Sequence, residues 1–336
     1  MDMNKKGIAV AGSLLVDNYF LIDTYPKQGN LTNVRDTKMD IGGSGNLIVD
    51  LAKLDADMPV KVSAIIGKDD YGAFIKKTLS KYANVIQDNI TEQGKSCVTM
   101  VMDAQDNHQR TFFYLPASSD VYDETYIDWE KIDADIFHLE YLLLMKKIDA
   151  SDPQYGTHGA KILREAQLRH MKTSIDMVTE VSERGRAIIK AALKYTDYCT
   201  INELEAEIAT GLPLLVDGEL VEANVHQALE ELAREGVSTW AIIHSPTCSY
   251  GMDCQTHTIF KVPSLKLPEG YIKGATGAGD AFCSGVLYAA YKGQGIEEAM
   301  RLGSACAACS LSEISGTAGM RSYDEVQAVY EQYCQE

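Results

Sequence analysis

The sequence predicts an α/β fold in which a central, mostly parallel sheet is flanked by helices. Short apolar runs of strand length alternate with amphipathic stretches of helical length through most of the 336 residues, and this alternation is typical of a parallel sheet covered on both faces. Two segments with the two-residue periodicity of β-strands interrupt the pattern. The last third of the chain is mainly helical. These observations indicate one doubly covered sheet with a smaller β element attached to it.

The individual elements follow from local periodicity. Continuous apolar runs indicate buried strands, and apolar side chains three or four residues apart indicate helices, as for Leu47, Leu51 and Leu54. The predicted strands cover residues 8–11, 60–66, 136–139, 173–175, 198–201 and 240–244. The predicted helices cover residues 46–54, 71–82, 159–169, 183–194, 203–209, 221–234, 279–292, 296–311 and 323–333.

The two interrupting segments are residues 17–40 and 95–115. Both alternate like strands and neither contains a helical stretch, as in the run from Cys97 to Met102. Antiparallel strands inserted at one edge of the core would form a small β-sheet lid over the ligand end of the main sheet. Two ordinary surface hairpins are the alternative, and the local pattern alone does not decide between them. Since no linker or repeat divides the chain, residues 1–336 are expected to form a single domain.

Composition limits the classes of partner. The net charge is −17, and such an acidic surface repels phosphate backbones and anionic lipids, so nucleic acid and membranes are not expected partners. No segment has the length of a membrane span, and the apolar run at the N-terminus is too short for a signal peptide. Eight scattered cysteines imply no disulfide framework. The protein is therefore expected to be cytoplasmic.

The clearest chemical signal is the turn GATGAGDAF at residues 274–282. Its glycines precede an apolar helix, whose N-terminus offers unpaired N–H groups and the positive end of the helix dipole. The backbone of Gly277, Ala278 and Gly279 is therefore a candidate anion site for phosphate. Asp280 follows in the first turn of the helix. Either it caps that helix, or it is a general base that accepts a hydroxyl proton during phosphoryl transfer.

A second glycine cluster, Gly42 and Gly43, lies before another predicted helix and is followed by Asn46. It is either a tight turn with a helix cap or a loop in which the Asn46 amide binds substrate hydroxyls. Asp17 follows the first predicted strand, at the end where α/β folds bind ligands, although it could also be a solvated loop residue. Neither glycine cluster is a Walker A loop, and neither fits the dinucleotide-binding fingerprint.

Taken together, these segments resemble the ribokinase-like family of carbohydrate kinases, the pfkB family. The family's first signature corresponds to GGSGNLIVDLAKL at residues 42–54, and its second to GATGAGDAFCSG at residues 274–285. Three lesser features also fit: IGKDDYG at 66–72, RTF at 110–112 and INELE at 201–205. The resemblance spans nearly the whole chain. It implies a ribokinase-like Rossmann-type sheet with a β lid that closes over substrate and mediates homodimers.

The resemblance also implies an activity, which is ATP-dependent phosphorylation of a primary hydroxyl on a sugar or sugar-like molecule. The implied catalytic groups are the base Asp280 and the backbone anion hole of Gly277, Ala278 and Gly279. The implied substrate-binding residues are Asp17, Gly42, Gly43 and Asn46. The implied nucleotide-binding residues are Asn202, Glu205, Thr276, Gly277, Gly279 and Ser304. Among these, Asn202 and Glu205 match the pair that organises Mg²⁺, through water.

Several departures from the family pattern matter. The second signature begins with Gly274 and Ala275, where many relatives carry an Asp that helps to hold a monovalent cation, so K⁺ activation is in question. Residues 244–251 replace the usual nucleotide segment, which leaves the adenine and ribose contacts open. A nucleoside kinase of the same fold is one alternative, for which Tyr19, Phe20 and Tyr114 could stack on a base. A non-catalytic sugar- or nucleotide-binding regulator is another.

Overall fold

A computed structural model describes residues 6–106, 109–180 and 182–334. The strands are β1 (Ile8–Gly12), β2 (Leu14–Ile22), β3 (Val34–Gly43), β4 (Val60–Ile66), β5 (Val85–Glu92), β6 (Cys97–Ala104), β7 (Arg110–Leu115), β8 (Ile136–Leu142), β9 (Ser151–Asp152), β10 (Gly156–Thr157), β11 (Lys172–Met177), β12 (Tyr198–Asn202), β13 (Leu215–Val216), β14 (Glu219–Leu220), β15 (Trp240–His244), β16 (Cys248–Asp253) and β17 (Thr258–Pro263). The helices are α1 (Ser44–Leu54), α2 (Asp70–Leu79), α3 (His158–Leu168), α4 (Glu183–Leu193), α5 (Glu203–Thr210), α6 (Glu222–Glu235), α7 (Ala278–Lys292), α8 (Ile296–Leu311) and α9 (Tyr323–Tyr333).

The main sheet has nine strands in the order β17-β16-β15-β12-β11-β8-β1-β4-β5. The seven strands from β15 to β5 are parallel, and β16 and β17 extend the sheet as an antiparallel pair. The predicted fold class is therefore confirmed. Strands β5, β16 and β17 were not predicted, because their apolar residues are interspersed with polar ones and the continuous runs that mark central strands are missing.

Helices cover both faces of this sheet. In β1, Ile8 and Val10 belong to one buried cluster with residues of α1, α7 and α8, whereas Ala9 and Ala11 belong to a second cluster with residues of α3, α4 and α6. Successive side chains of a strand point to opposite faces, so a strand that is apolar throughout requires cover on both sides. No helix in the described part of the chain is both long enough and apolar enough to cross a membrane.

The two interrupting segments form a separate four-stranded sheet in the order β3-β2-β6-β7. The outer pairs β2–β3 and β6–β7 are antiparallel, and the two central strands, β2 and β6, lie parallel to each other. We call β2, β3, β6 and β7 the small sheet. Strand β3 leads directly into α1, so the small sheet and the first glycine cluster are covalently continuous.

The carboxyl ends of the parallel strands define one edge of the main sheet. Strand β8 ends at Leu142, β11 at Met177, β12 at Asn202 and β15 at His244. Ligands of open α/β sheets bind outside these ends. Polar side chains near the last residues of the four strands are therefore candidates for a common site.

Candidate active site

The turn before α7 has a backbone that only glycine adopts readily. Gly277 precedes α7 with φ 80° and ψ 0°, in the left-handed region, and a Cβ at this position would lie 2.7 Å from Cα of Gly316. Both the conformation and the close approach favour glycine. The turn therefore packs closely against the loop that contains Gly316.

The amides of Gly279 and Asp280, in the first turn of α7, are available to bind an anion. Ala278 N–H lies 3.4 Å from the carbonyl of Ala275, and within the described ranges the N–H groups of Gly279 and Asp280 donate to no acceptor. No side chain of the described residues caps this helix, so the alternative that Asp280 serves as a helix cap is wrong. Unpaired amides at the positive end of a 15-residue helix form a suitable phosphate site.

The carboxylate of Asp280 is fixed by two side chains from distant parts of the sequence. Asn46 Nδ2 donates to Asp280 Oδ2 at 2.8 Å, and the Tyr141 hydroxyl donates to Oδ1 at 2.5 Å. Asp280 is only 8% exposed. Burial raises its pKa, and the hydrogen bonds from Tyr141 and Asn46 oppose that rise. The side chain is thus an oriented acceptor beside the free amides of its own helix.

Two further carboxylates lie close to Asp280. Oxygen atoms of Glu140, Asp176 and Asp280 all lie within 4.8 Å of one another. The pKa values of Glu140 and Asp176 are raised well above the ordinary range, first by burial and then by the neighbouring acidic groups. His138, whose Nε2 lies 3.4 Å from Glu140 Oε2, is neutral because burial lowers its pKa to about 3. Like charges this close cannot all ionise, so the cluster retains protons at neutral pH.

Asn202 and Glu205 form a capping box at the start of α5. Asn202 Oδ1 accepts from the Glu205 N–H at 2.9 Å, and Glu205 Oε2 accepts from the Asn202 N–H at 2.9 Å. The other carboxylate oxygen, Oε1, accepts a single long bond within the described part of the chain, 3.3 Å from Thr179 Oγ1. Burial raises the pKa of Glu205 to about 7, and the charge of Asp280 adds to the rise. A carboxylate oxygen that is nearly free and a neighbouring amide are suitable partners for Mg²⁺ or its bound water.

Gly42 of the first glycine cluster faces Asp17. A Cβ on Gly42 would lie 2.4 Å from Asp17 Oδ2, so glycine at this position leaves room for the carboxylate. Burial raises the pKa of Asp17 to about 7, while a hydrogen bond with Thr99 lowers it. Gly43 precedes α1, and three residues later Asn46 has an Oδ1 without a partner among the described residues. Gly42 therefore lies against Asp17 and Asn46 is bonded to Asp280, whereas Gly43 lies against the carbonyl of Ser13.

The small sheet reaches the anion turn through Arg110. Its Nη1 donates to Thr276 Oγ1 at 2.5 Å, and its Nε donates to Asp103 Oδ2 at 3.2 Å. The guanidinium also lies 5.8 Å from the ring centroid of Tyr19. A second contact between the small sheet and the core joins Ser315 to Asp40. The sequence singled out the Arg110 segment without assigning it a role.

A cavity of about 710 Å³ opens beside the anion turn. Among the predicted nucleotide residues, Asn202, Gly279 and Ser304 line it, whereas Thr276 is bonded to Arg110 instead. Its walls are mainly apolar, which suits a planar heterocycle. The apolar lining residues include Pro246, Leu265, Leu267, Ile272, Phe282, Ala307 and Leu311. Residues 244–251, which replace the usual nucleotide segment of the family, also contribute to the lining through His244, Ser245 and Cys248.

A family model described as pfkB family carbohydrate kinase matches residues 5–322. The chain belongs to the pfkB family of carbohydrate kinases. It is therefore an ATP-dependent kinase of the carbohydrate and nucleoside kinase family, as the two signatures predicted. The family assignment agrees with the site, where a carboxylate and free amides meet beside a cavity.

Among curated proteins, this kinase is 28% identical over 321 residues to the guanosine-inosine kinase of Exiguobacterium acetylicum, which covers 91% of this chain and 94% of the relative. Many solved structures share its fold, and two of them serve as examples. The Arabidopsis thaliana ribokinase complexed with ribose and ATP has a TM-score of 0.79 at 19% identity, covering 97% and 99% of the two chains. The Methanocaldococcus jannaschii nucleoside kinase has a TM-score of 0.75 at 17% identity, covering 98% and 99%.

Proposed function

We propose that this kinase transfers the γ-phosphoryl group of ATP to a primary hydroxyl of a sugar or sugar-like molecule. The observation that carries the proposal is the position of Asp280. Its carboxylate is oriented by Asn46 and Tyr141, and it lies in the same helical turn as the free amides of Gly279 and Asp280. A base and an anion site in one helical turn can act on the same phosphoryl transfer: the base on the attacking hydroxyl, and the amides on the charge of the transferring group.

In the proposed reaction, Asp280 accepts the proton of the attacking hydroxyl. The hydroxyl oxygen forms a bond to the γ-phosphorus while the bond to the β-bridging oxygen breaks, releasing ADP. Negative charge on the transferring group is stabilised by the N–H groups of residues 277–280, since preorganised donors are most effective where charge develops. Arg110, which is bonded to Thr276 in the same turn, adds a positive charge at this point.

ATP is proposed to bind with its base in the 710 Å³ cavity, beside Ser304, and its phosphates toward residues 276–279. Mg²⁺ would be held by Glu205 and Asn202, through water, because Glu205 presents a buried carboxylate oxygen with only a weak partner. When bound, Mg²⁺ neutralises phosphate charge. On the acceptor side, Asp17 and Asn46 bind hydroxyls and Gly42 and Gly43 allow close approach of the backbone.

We infer that the small sheet closes over the acceptor and joins two copies of the chain in a homodimer. Its edge strands β3 and β7 expose several large apolar side chains, and such faces are typical of protein interfaces. The exposed residues are Val34, Met39, Phe112, Phe113 and Leu115. Analytical ultracentrifugation tests this inference: a monomer at micromolar concentration would contradict it, and Phe112→Ser should weaken the dimer.

A nucleoside acceptor is the second candidate. It is favoured by the similarity to a guanosine-inosine kinase over 91% of the chain. Tyr19, which is buried and has Arg110 near its ring, is a candidate stacking partner for a base.

A panel of sugars and nucleosides, assayed for ADP release with ATP and Mg²⁺, tests both candidates. Turnover with sugars alone supports the first candidate, and turnover with purine nucleosides supports the second. Binding of an acceptor without turnover of ATP by any member of the panel would contradict both.

A further inference from the structure

The hydroxyl of Tyr141 is hydrogen-bonded to one carboxylate oxygen of Asp280, the proposed base. It donates to Asp280 Oδ1 at 2.5 Å, while Asn46 holds Oδ2. Both oxygens of the carboxylate therefore already accept a hydrogen bond from the chain itself before any acceptor arrives. Hydrogen bonds to a charged carboxylate lower its affinity for a proton. In this arrangement Asp280 is a weaker base than an unoccupied carboxylate in the same position.

Tyr141 presents the same chemical group as the acceptor, an O–H directed at Asp280. In this proposal the phenol is a hydrogen-bond donor to Oδ1 and not a nucleophile. Its pKa is raised well above the ordinary value, first by burial and then by the charges of Asp280, Glu140 and Asp176. Tyr141 thus stays a hydrogen-bond donor over the working pH range.

Water is the competing nucleophile that any kinase base must avoid activating. If Asp280 took a proton from water, the water oxygen would bond to the γ-phosphorus and the bond to the β-bridging oxygen would break. The products would be ADP, inorganic phosphate and a proton. A water molecule at Asp280 Oδ1 would have to occupy the place where the Tyr141 hydroxyl lies. A donor fixed at 2.5 Å leaves no room for it on that side of the oxygen.

We propose that Tyr141 is a positioning residue. In the absence of acceptor, its hydrogen bond to Asp280 Oδ1 keeps water from that oxygen and so suppresses hydrolysis of ATP. This inference rests on the proposed kinase function and adds a selectivity device to the same site. The acceptor competes with the Tyr141 hydroxyl for Asp280, and contacts made by its other hydroxyls favour its binding. A single water molecule makes no such contacts.

The test compares wild type with Tyr141→Phe, which keeps the ring and removes only the hydroxyl. Phosphate release is measured with ATP and Mg²⁺ alone, and phosphorylated product is measured with the best acceptor from the panel. We expect the ratio of hydrolysis to transfer to rise by about tenfold, the effect of losing one hydrogen bond to a charged group. Tyr141→Leu, which also removes the ring, should raise the ratio at least as much.

Tyr122→Phe is the matched control, because Tyr122 is fully buried and its hydroxyl bonds to Ser63 at 2.8 Å outside the site. An unchanged ratio in both Tyr141 variants would overturn the inference, as would an equal rise in Tyr122→Phe. A merely structural role for Tyr141 would lower hydrolysis and transfer together. Absence of transfer by the wild type to every acceptor would contradict the proposed function instead, so the two failures are distinguishable.

Discussion

Asn46 and Asp280 are 234 residues apart, and the Asn46 amide donates a 2.8 Å hydrogen bond to Asp280 Oδ2. The bond joins the first turn of α1 to the first turn of α7, so the two glycine-rich helix starts face each other across the site. A substrate hydroxyl near Asn46 would also lie near the proposed base. The bond fixes the orientation of the Asp280 carboxylate.

Replacing Asp280 with Asn should abolish most of the activity without unfolding the protein. Asn has nearly the same shape but cannot accept a proton from the acceptor hydroxyl, so kcat should fall by at least ~10², a common contribution of general-base catalysis. Burial raises the pKa of Asp280, and the neutral amide avoids that cost. Because its NH2 group cannot accept one of the two hydrogen bonds that the carboxylate accepts, the fold should be retained with only a small net change in stability. Steady-state kinetics and thermal denaturation measure the two effects. Wild-type kcat in this variant would show that Asp280 is not the base.

The sequence predicted the parts of the site that have a local pattern. Asp280 and Asn46 each stand next to glycines at the start of a helix, so the turn and the carboxylate were found together. Glu140, Tyr141 and Asp176 were missed because each is a single polar residue at the end of a buried strand. Their proximity to Asp280 depends on the pairing of β8 with β11 and on the placement of α7, which are long-range relationships.

The small sheet was likewise predicted only as far as its local pattern reaches. Alternation of residues predicted its strands, but the parallel pairing of β2 with β6 joins residues more than 80 positions apart, such as Leu15 and Cys97. Local periodicity carries no information on that pairing. The contact between Arg110 and Thr276 depends in turn on the pairing of β2 with β6.

Arg110→Met should lower kcat/KM by tenfold or more, and it should also destabilise the protein because it leaves the buried carboxylate of Asp103 without its ion-pair partner. The substitution removes the guanidinium from Thr276 in the anion turn, and a hydrogen bond from a charged group is worth about 1.5–3 kcal/mol. Arg110→Lys should not restore activity, because Lys lacks the planar fork that reaches Thr276 and Asp103 together. Arg169→Met is the control, since Arg169 packs on Trp129 away from the site. Equal losses in both variants would argue against a specific role.

Gly277→Ala should destabilise the protein and impair ATP binding. The left-handed φ of 80° is strained for Ala by about 1–3 kcal/mol, and the added Cβ would lie 2.7 Å from Gly316. Gly270→Ala is a matched control, because Gly270 has a similar φ of 77° and no atom of the residues that the structure describes lies within 4 Å of the added Cβ. Urea denaturation separates the two contributions: the loss in Gly270→Ala reports the backbone strain, and the excess in Gly277→Ala reports the clash. Equal losses would remove the packing argument.

Asp50 makes the stability of the protein depend on pH. It lies in α1, is fully buried, and has no hydrogen-bond partner for either oxygen among the described residues. Burial, followed by the charge of Asp280, raises its pKa well above the ordinary value of 3.8. The folded protein therefore holds a proton that the unfolded chain releases once the pH exceeds the ordinary value. The contribution to stability is complete below that value and is lost as the pH rises toward the folded pKa.

Asp50→Asn removes this proton linkage, so its Tm should exceed that of the wild type, and the difference should grow from pH 4 to pH 8. Thermal denaturation across that range measures the effect, with Asp57→Asn, a substitution of an exposed residue near the end of the same helix, as the control. A Tm difference that stays constant with pH would mean that Asp50 has the same pKa in the folded and unfolded states. A difference that shrinks as pH rises would mean that a cation holds Asp50 ionised in the folded protein, because an ionised, paired carboxylate stabilises the fold increasingly above its pKa.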